Sequence, residues 1–280
     1  MPHARRRSLD IYYEDLGGPE ERTVLFLHGL LLSFEMMKPI AEGFHGSFRP
    51  VLVELHGHGR SSRPKDPSAY SMMEFAQDVV AVADELGVER IGIFGTSLGA
   101  DVALEAMLDY PERIAGAVLE MPVLEQGAKV ASRMFKPFAR ALRSRHAPRA
   151  LKIASRRIPN IKAFPGFADA AAHLATEPAA GAAVIEGLLA EAERDRWSDV
   201  ERCQIPALVI AHALDPLHAF ADAQHIAKRL PRGELVRAYS ILELRIRPKR
   251  LVAVAGRFLE QAFAEAEQPV KKRRRGATQR

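Results

Sequence analysis

The feature that most constrains this chain is a short apolar run that leads directly into a Gly-x-Ser-x-Gly pattern. Residues 91–94 read as a buried strand, Gly95-Thr96-Ser97-Leu98-Gly99 follows, and a helical pattern continues to Tyr110-Pro111. A strand, a sharp turn and a helix in this order expose a serine hydroxyl above a sheet. The helix start also points backbone N–H groups at any anion formed there.

The turn itself requires small residues two positions before and after the serine, and Gly95 and Gly99 meet this requirement. The sequence therefore predicts a nucleophile elbow with Ser97 at its tip, held in a strained backbone conformation. The alternative is an ordinary βα turn whose glycines only allow close packing.

Strand and helix patterns alternate along most of the chain, which is typical of a mostly parallel α/β sheet with flanking helices. A capping box at Ser71 and Glu74 predicts the start of a long amphipathic helix that Gly87 closes. The predicted strands cover residues 9–14, 24–27, 51–55, 91–94, 114–119, 207–211 and 234–238.

The strand rhythm stops between residues 123 and 197, where the sequence is rich in alanine and helical in pattern. We expect this stretch to be a helical cap inserted into a core formed by residues 8–122 and 198–265. Because it follows the strand after the elbow, the cap should lie over the edge of the sheet where ligands bind. Residues 268–280 carry six Lys or Arg and predict a disordered basic tail.

Four motifs in this order resemble the α/β-hydrolase family, and the resemblance covers about residues 8–265. They are His28-Gly29 after one strand, His56-Gly57-His58-Gly59-Arg60-Ser61 after the next, the Ser97 turn, and the run that ends at Asp215-Pro216. The resemblance implies a mostly parallel central sheet with flanking helices and an inserted helical cap. It also implies catalysis without a cofactor.

The resemblance implies roles for several residues. Ser97 would be the nucleophile, the amides of Leu30 and Leu98 would form the oxyanion hole, and Asp215 would orient a histidine base. A serine at the elbow argues against the haloalkane dehalogenase and epoxide hydrolase branches, which carry aspartate there.

The chain departs from the family at the histidine. The family places it in the loop after the last strand, here residues 239–248, where Ile241 occupies roughly the expected position and no histidine follows His225. Serine is a poor nucleophile without a base to take its proton. His218, three residues after Asp215, is the candidate base that we favour. The remaining candidates are His28, Glu243 and Glu120.

The two histidines of the His56–His58 turn suggest metal ligands at first sight. No cysteine or carboxylate accompanies them at ligand spacing, so we expect a structural role and no metal site. The single cysteine, Cys203, excludes an intramolecular disulfide, and the N-terminus has no apolar signal segment. We therefore expect a cytoplasmic protein.

The basic charge is concentrated in two blocks. Residues 126–168 contain eleven Lys or Arg and no acid, and the tail adds six more, although the net charge is only +5. The first block is either a solvated helix face, or a cap that attracts an anionic amphiphile or associates weakly with anionic membranes. No aromatic residues interleave with the tail charges, so we expect no specific nucleic-acid binding. The sequence carries no signal for an oligomeric state.

Taken together, these features predict a serine hydrolase that cleaves an ester or related acyl bond of a hydrophobic small molecule, neutral or anionic, through an acyl-enzyme at Ser97. The alternative from a different class is a catalytically degenerate protein of the same fold that binds a hydrophobic ligand. The absence of a late histidine motivates this alternative.

Overall fold

The computed structural model describes residues 2–123, 125–157, 165–191, 196–213, 215 and 217–267, without the side chains of residues 125 and 126. The predicted disordered tail at 268–280 lies outside these residues. Leu214 and Pro216, on either side of Asp215, also lie outside them.

The described part of the chain forms one eight-stranded sheet. Its strands are β1 (His3–Arg6), β2 (Leu9–Asp15), β3 (Thr23–Leu27), β4 (Arg49–Val53), β5 (Ile91–Thr96), β6 (Ile114–Glu120), β7 (Ala207–Ala211) and β8 (Gly233–Arg237). They lie in the order β1-β2-β4-β3-β5-β6-β7-β8. Strands β1 and β2 pair antiparallel, as do β2 and β4, and every later pair is parallel. The predicted mostly parallel α/β sheet is confirmed.

Helices cover both faces of this sheet, as a parallel sheet buried on both sides requires. Their bounds are α1 (Lys38–Ala41), α2 (Met72–Glu85), α3 (Leu98–Asp109), α4 (Glu125–Leu142), α5 (Ala147–Ser155), α6 (Phe167–Thr176), α7 (Pro178–Glu191), α8 (Trp197–Val200), α9 (Phe220–Arg229), α10 (Glu243–Ile246) and α11 (Lys249–Ala266). Helices α2, α3 and α9 pack on one face of the sheet, and α1 and α11 pack on the other. Strand β5 lies at the centre of the sheet, so the Ser97 turn projects from the middle of the sheet edge.

Strand β1 is absent from the sequence-based prediction, and its inward residues explain why. Ala4 is fully buried, but its companion on the same face is Arg6, whose side chain is only 7% exposed. The Arg6 guanidinium reaches Asp78 at 2.7 Å and Glu74 at 2.6 Å. A charged residue that is buried only because it forms ion pairs cannot be recognised as a core residue from the sequence.

The start of α2 agrees with the predicted capping box in one of its two bonds. Ser71 Oγ accepts a hydrogen bond from the Glu74 amide at 3.0 Å, which satisfies an otherwise free N–H of the first turn. The Glu74 carboxylate contacts Arg6, across the gap to β1, instead of returning to Ser71. The cap residue therefore also anchors the edge strand.

Among the described residues, helices α4 to α7 lie between β6 and α8, in the stretch where the sequence predicts a cap. Ala139 and Leu142 of α4 pack against Ala182 and Ile185 of α7, with Leu30 at the border of this cluster. Leu30, in the loop after β3, therefore packs against the helices that follow β6. The boundaries of core and cap stay a prediction. Within the described residues no helix is long and apolar enough to cross a membrane.

Candidate active site

Ser97 occupies the turn between β5 and α3 in a backbone conformation that side chains rarely adopt. Its φ and ψ are 55° and −117°, and the helix begins at the next residue. A non-glycine residue at positive φ is costly and persists only where its surroundings impose it, which occurs most often at functional sites. The strained serine predicted from the Gly-x-Ser-x-Gly pattern is therefore present.

The two glycines of this turn are required by space. A Cβ added at Gly95 would overlap the backbone carbonyl of Gly99, and one added at Gly99 would overlap the carbonyl of Leu27 in β3. Backbone atoms cannot move away as the end of a flexible side chain can. The strand, the turn and the helix are thus packed backbone against backbone.

We expect Gly99→Ala to lower the free energy of unfolding by about 3 kcal/mol or more, because the added methyl group has no room. Chemical denaturation measures this change. Gly256→Ala in α11 is the matched control, since the atom nearest to its added Cβ is 3.9 Å away. There, removal of a helical glycine should raise stability by about 0.5–1 kcal/mol. Equal effects of the two substitutions would contradict this packing argument.

The structure brings Ser97, His218 and Asp215 into one hydrogen-bonded series. Ser97 Oγ lies 2.9 Å from His218 Nε2, and His218 Nδ1 lies 2.8 Å from Asp215 Oδ2. An ionised Asp215 keeps the ring proton on Nδ1 and leaves Nε2 as the acceptor of the serine proton. The side chains of His218 and Asp215 are each 13% exposed.

The loop after β7 supports both groups because Asp215 also binds its backbone. Asp215 Oδ1 accepts hydrogen bonds from the amides of Leu217 at 2.9 Å and of His218 at 3.1 Å. Burial raises the pKa of Asp215, but the hydrogen bonds and charge of His218 outweigh it and hold the pKa below its usual value. Acid and imidazole thus come from one turn, three residues apart.

The expected oxyanion donors lie at the same site. Leu30 and Leu98 both line the cavity beside Ser97, and neither amide donates a hydrogen bond to any other described residue. The neighbouring Leu31 has a φ of 56°, and its amide donates to His58 Nε2 at 3.0 Å. His58 therefore holds this loop in place next to the Leu30 amide, which is the candidate oxyanion donor.

The other candidate bases have different partners. His28 is fully buried, with Nδ1 2.8 Å from the Gly29 carbonyl and Nε2 accepting from the Leu55 amide at 3.3 Å. Burial lowers the pKa of His28 to about 4, so it is a neutral brace of the loop. Glu243 binds Arg250, which lowers the pKa of Glu243 and weakens it as a base.

Glu120, the last candidate base, is buried beneath the elbow. It accepts hydrogen bonds from Thr96 Oγ1 at 2.5 Å and from Arg245 Nη2 at 3.0 Å, and His212 Nε2 lies 3.3 Å from its second oxygen. Burial raises the pKa of Glu120, but the charge of Arg245 and then the hydrogen bond and charge of His212 lower it to about 2. Sequence reasoning missed Arg245, which lies in α10, four residues after Ile241.

The turn between β4 and α2 has the structural role expected for it. His56 Nδ1 lies 2.6 Å from Asp78 Oδ2, and its Nε2 lies 2.9 Å from the carbonyl of Ala69. His58 Nδ1 lies 3.1 Å from the His56 carbonyl. Across the described ranges, no group of three or more His, Cys, Asp or Glu side chains is arranged to hold a metal ion.

A cavity of about 1100 Å³ lies over Ser97 and His218. Its walls come from the elbow, from α4 and α7, and from the loop that contains Ile241 and Leu242. Most of the lining is apolar, including Leu104, Leu108, Met121, Phe135, Ile185, Leu188 and Trp197. A concave apolar space with a few converging polar groups is the usual form of a small-molecule site.

Comparison with known proteins agrees with this geometry. The sequence profile of the alpha/beta hydrolase fold family matches residues 22–160. A 3-oxoadipate enol-lactonase 2 from Acinetobacter baylyi is 26% identical over 228 residues, which cover 80% of this chain and 82% of that protein. A pimeloyl-(acyl-carrier protein) methyl ester esterase from Edwardsiella ictaluri is 37% identical over 101 residues, 36% of each chain.

Several other curated relatives are matched over less than half of their own length. Among solved structures, a hydrolase from Pseudomonas aeruginosa PA01 has a TM-score of 0.75 at 23% identity and covers 91% of this chain and 96% of that chain. The sheet order, the turn at Ser97 and the esterase-like and lactonase-like relatives all indicate the same fold. The chain therefore has the α/β-hydrolase fold, which is the fold of the family whose profile it matches.

Proposed function

We propose that this protein hydrolyses an ester or related acyl bond of a hydrophobic small molecule through an acyl-enzyme at Ser97. The observation that carries the proposal is the contact series from Ser97 Oγ through His218 to Asp215, at 2.9 Å and 2.8 Å. A serine within hydrogen-bond distance of an oriented imidazole is the arrangement needed for nucleophilic acyl transfer. The apolar cavity supports a hydrophobic substrate.

In the first half-reaction, Ser97 Oγ attacks the carbonyl carbon while His218 Nε2 takes the serine proton. The new C–O bond displaces an electron pair onto the carbonyl oxygen, which the amides of Leu30 and Leu98 stabilise. Asp215 stabilises the imidazolium that forms. When the tetrahedral intermediate collapses, the bond to the alcohol breaks and His218 donates its proton to the leaving oxygen.

In the second half-reaction, water takes the place of the alcohol. His218 accepts a water proton as the remaining hydroxide attacks the acyl carbon, and the bond to Ser97 then breaks. The serine recovers its proton from His218, and the carboxylic acid leaves. His218 thus returns to its starting protonation state after each turnover.

The acyl-enzyme is the intermediate to detect. Mixing the protein with 4-nitrophenyl esters, followed by rapid acid quench and intact mass measurement, should show one added acyl group on the wild type. Ser97→Ala should show none, whereas Ser68→Ala, an exposed serine away from the cavity, should retain the adduct. Because both variants differ from the wild type by one hydroxyl, only the position of the serine distinguishes them.

An adduct that persists in Ser97→Ala would contradict the proposal. So would a wild-type protein that gains thermal stability with hydrophobic esters but neither forms an adduct nor releases nitrophenol. That second result would favour the ligand-binding alternative.

A further inference from the structure

The cavity follows one face of α3 over nearly the whole length of this helix. Its lining includes Leu98, Asp101, Leu104, Glu105 and Leu108. These positions are separated by three or four residues, so they lie on one face of the helix. Because α3 begins directly after Ser97, this face starts at the nucleophile. The cavity therefore has an arm, here called the α3 arm, that leads away from Ser97 along these five residues.

Apolar side chains of α2, α7 and α8 surround the α3 arm. Four of them line the cavity and pack in the same apolar cluster as Leu104 and Leu108: Met72, Leu188, Trp197 and Val200. Other apolar lining residues, such as Phe135 and Leu189, belong to a different cluster that includes residues of α4. The α3 arm is thus a distinct apolar part of the cavity, with α3 as one wall.

Two acids of the α3 arm are bound by backbone amides. Asp101 Oδ1 accepts a hydrogen bond from the Val123 amide at 2.9 Å, and Glu191 Oε2 accepts one from the Met72 amide at 2.7 Å. Apart from Arg196, the Lys and Arg residues of the cavity lining belong to α4 and α10, outside this arm. The α3 arm therefore needs no charged group of the substrate to satisfy its own polar groups.

The far end of the α3 arm carries a cluster of ion pairs. Arg196 lines the cavity and binds Glu105 at 2.6 Å and Asp109, the last residue of α3, at 2.8 Å. The side chains of Arg196 and Glu105 are only 17% and 8% exposed. Separating ion-paired groups that are largely shielded from water is costly, so an apolar chain should not displace this cluster. The cluster sets an upper limit to the length of a chain bound in the arm.

The length of α3 gives that limit a size. Leu108 follows Leu98 by ten residues, and an α-helix rises about 1.5 Å per residue, so the arm is about 15 Å long. A fully extended chain advances about 1.2 Å per bond, as the extended peptide backbone does. The α3 arm can therefore hold a straight chain of about ten to twelve carbons.

We propose that the acyl part of the substrate is a linear aliphatic chain of about ten to twelve carbons that lies in the α3 arm. This inference rests on the proposed ester hydrolysis at Ser97. In that reaction His218 protonates the leaving oxygen, and His218 lies in the loop after β7, whereas the walls of the arm belong to α2, α3, α7 and α8. The acyl chain, and not the alcohol, therefore enters the arm.

The test measures kcat/KM for 4-nitrophenyl esters of straight-chain acids, from acetate to hexadecanoate, each below its micelle concentration. We expect kcat/KM to rise by about twofold or more for each methylene between butanoate and decanoate, because each methylene leaves water. The maximum should lie at decanoate or dodecanoate. Hexadecanoate, which is longer than the arm, should be hydrolysed about tenfold less efficiently than the best ester.

Leu104→Trp tests the position of the chain, because the larger side chain fills the arm halfway along α3. It should lower the ratio of kcat/KM for dodecanoate to that for butanoate by about tenfold or more. Leu235→Trp, at an exposed leucine of β8 outside the cavity, is the matched control and should keep the wild-type ratio. If Leu104→Trp does not fold, Leu108→Trp at the far end serves in its place and should lower the ratio for dodecanoate to octanoate.

Three results would overturn the inference. They are a wild-type maximum at butanoate or shorter, a folded Leu104→Trp protein with the wild-type ratio, and a length preference that appears only when the chain is on the alcohol, as in a series of alkyl acetates. These outcomes differ from failure of the proposed function, in which no acyl adduct forms on Ser97 with any ester.

Discussion

Replacing His218 with alanine should lower kcat for ester hydrolysis by at least about 10³-fold. Among the described residues, the His218 imidazole lies within hydrogen-bond distance of Ser97 Oγ and can accept its proton. Without the imidazole, the serine must give its proton to water, and no general acid remains to protonate the leaving alcohol. Steady-state kinetics with a 4-nitrophenyl ester measures the effect.

The matched control is His45→Ala. His45 is exposed and its Nε2 lies 3.2 Å from the Leu16 carbonyl, outside the cavity. This variant should keep kcat within about twofold of the wild-type value, as expected for a surface change. A His218→Ala protein that remains folded and turns over at the wild-type rate would rule out His218 as the base.

The second large effect concerns stability. Glu120→Gln should lower the free energy of unfolding at pH 7 by about 3 kcal/mol, because it leaves the buried Arg245 without its charged partner. The same amount follows from the lowering of the Glu120 pKa from its usual 4.5 to about 2. Urea denaturation of the variant and the wild type gives the difference.

The pH dependence of this effect follows from the direction of the pKa shift. A group whose pKa is lower in the folded protein contributes its full stability above its unfolded pKa and loses it as the pH falls through the folded value. The gap between wild type and Glu120→Gln should therefore narrow from about pH 5 to about pH 2. Glu89→Gln, at an exposed glutamate, should have the wild-type free energy of unfolding across this pH range. A constant difference across this range would contradict the assignment.

The sequence was sufficient for the central part of this fold because its signals are local. An apolar run followed by Gly-x-Ser-x-Gly predicts the turn at Ser97, since only glycine fits where two backbones touch. The central strands β3, β5, β6 and β7 are largely apolar because helices cover both of their faces. Strand β1 was missed because Arg6 is buried through ion pairs with residues more than sixty positions away.

The site was only partly predictable. Asp215 and His218 are three residues apart, so a single turn can join them, and this spacing was visible in the sequence. The position of Ser97 Oγ relative to His218 Nε2 depends on how β5 and β7 pack. The spacing of these residues in the sequence does not reveal that packing. The link between Thr96, Glu120 and Arg245 joins three separate elements and had no local signal.

The expected weak association with anionic membranes stays a prediction. Part of the first basic block and the whole of the second lie outside the described residues. Lys129, Arg133 and Lys136 line the cavity over Ser97, so part of the first basic block lies at this cavity.

The most direct test of the account is the rate at which a fluorophosphonate probe labels Ser97, because this reaction needs an activated serine and no knowledge of the substrate. Intact mass should show rapid labelling of the wild type and of His45→Ala, none of Ser97→Ala, and labelling of His218→Ala that is slower by about 10³-fold. Labelling of a folded His218→Ala protein at the wild-type rate would show that the base lies elsewhere. A wild-type protein that resists the probe would contradict nucleophilic catalysis at Ser97.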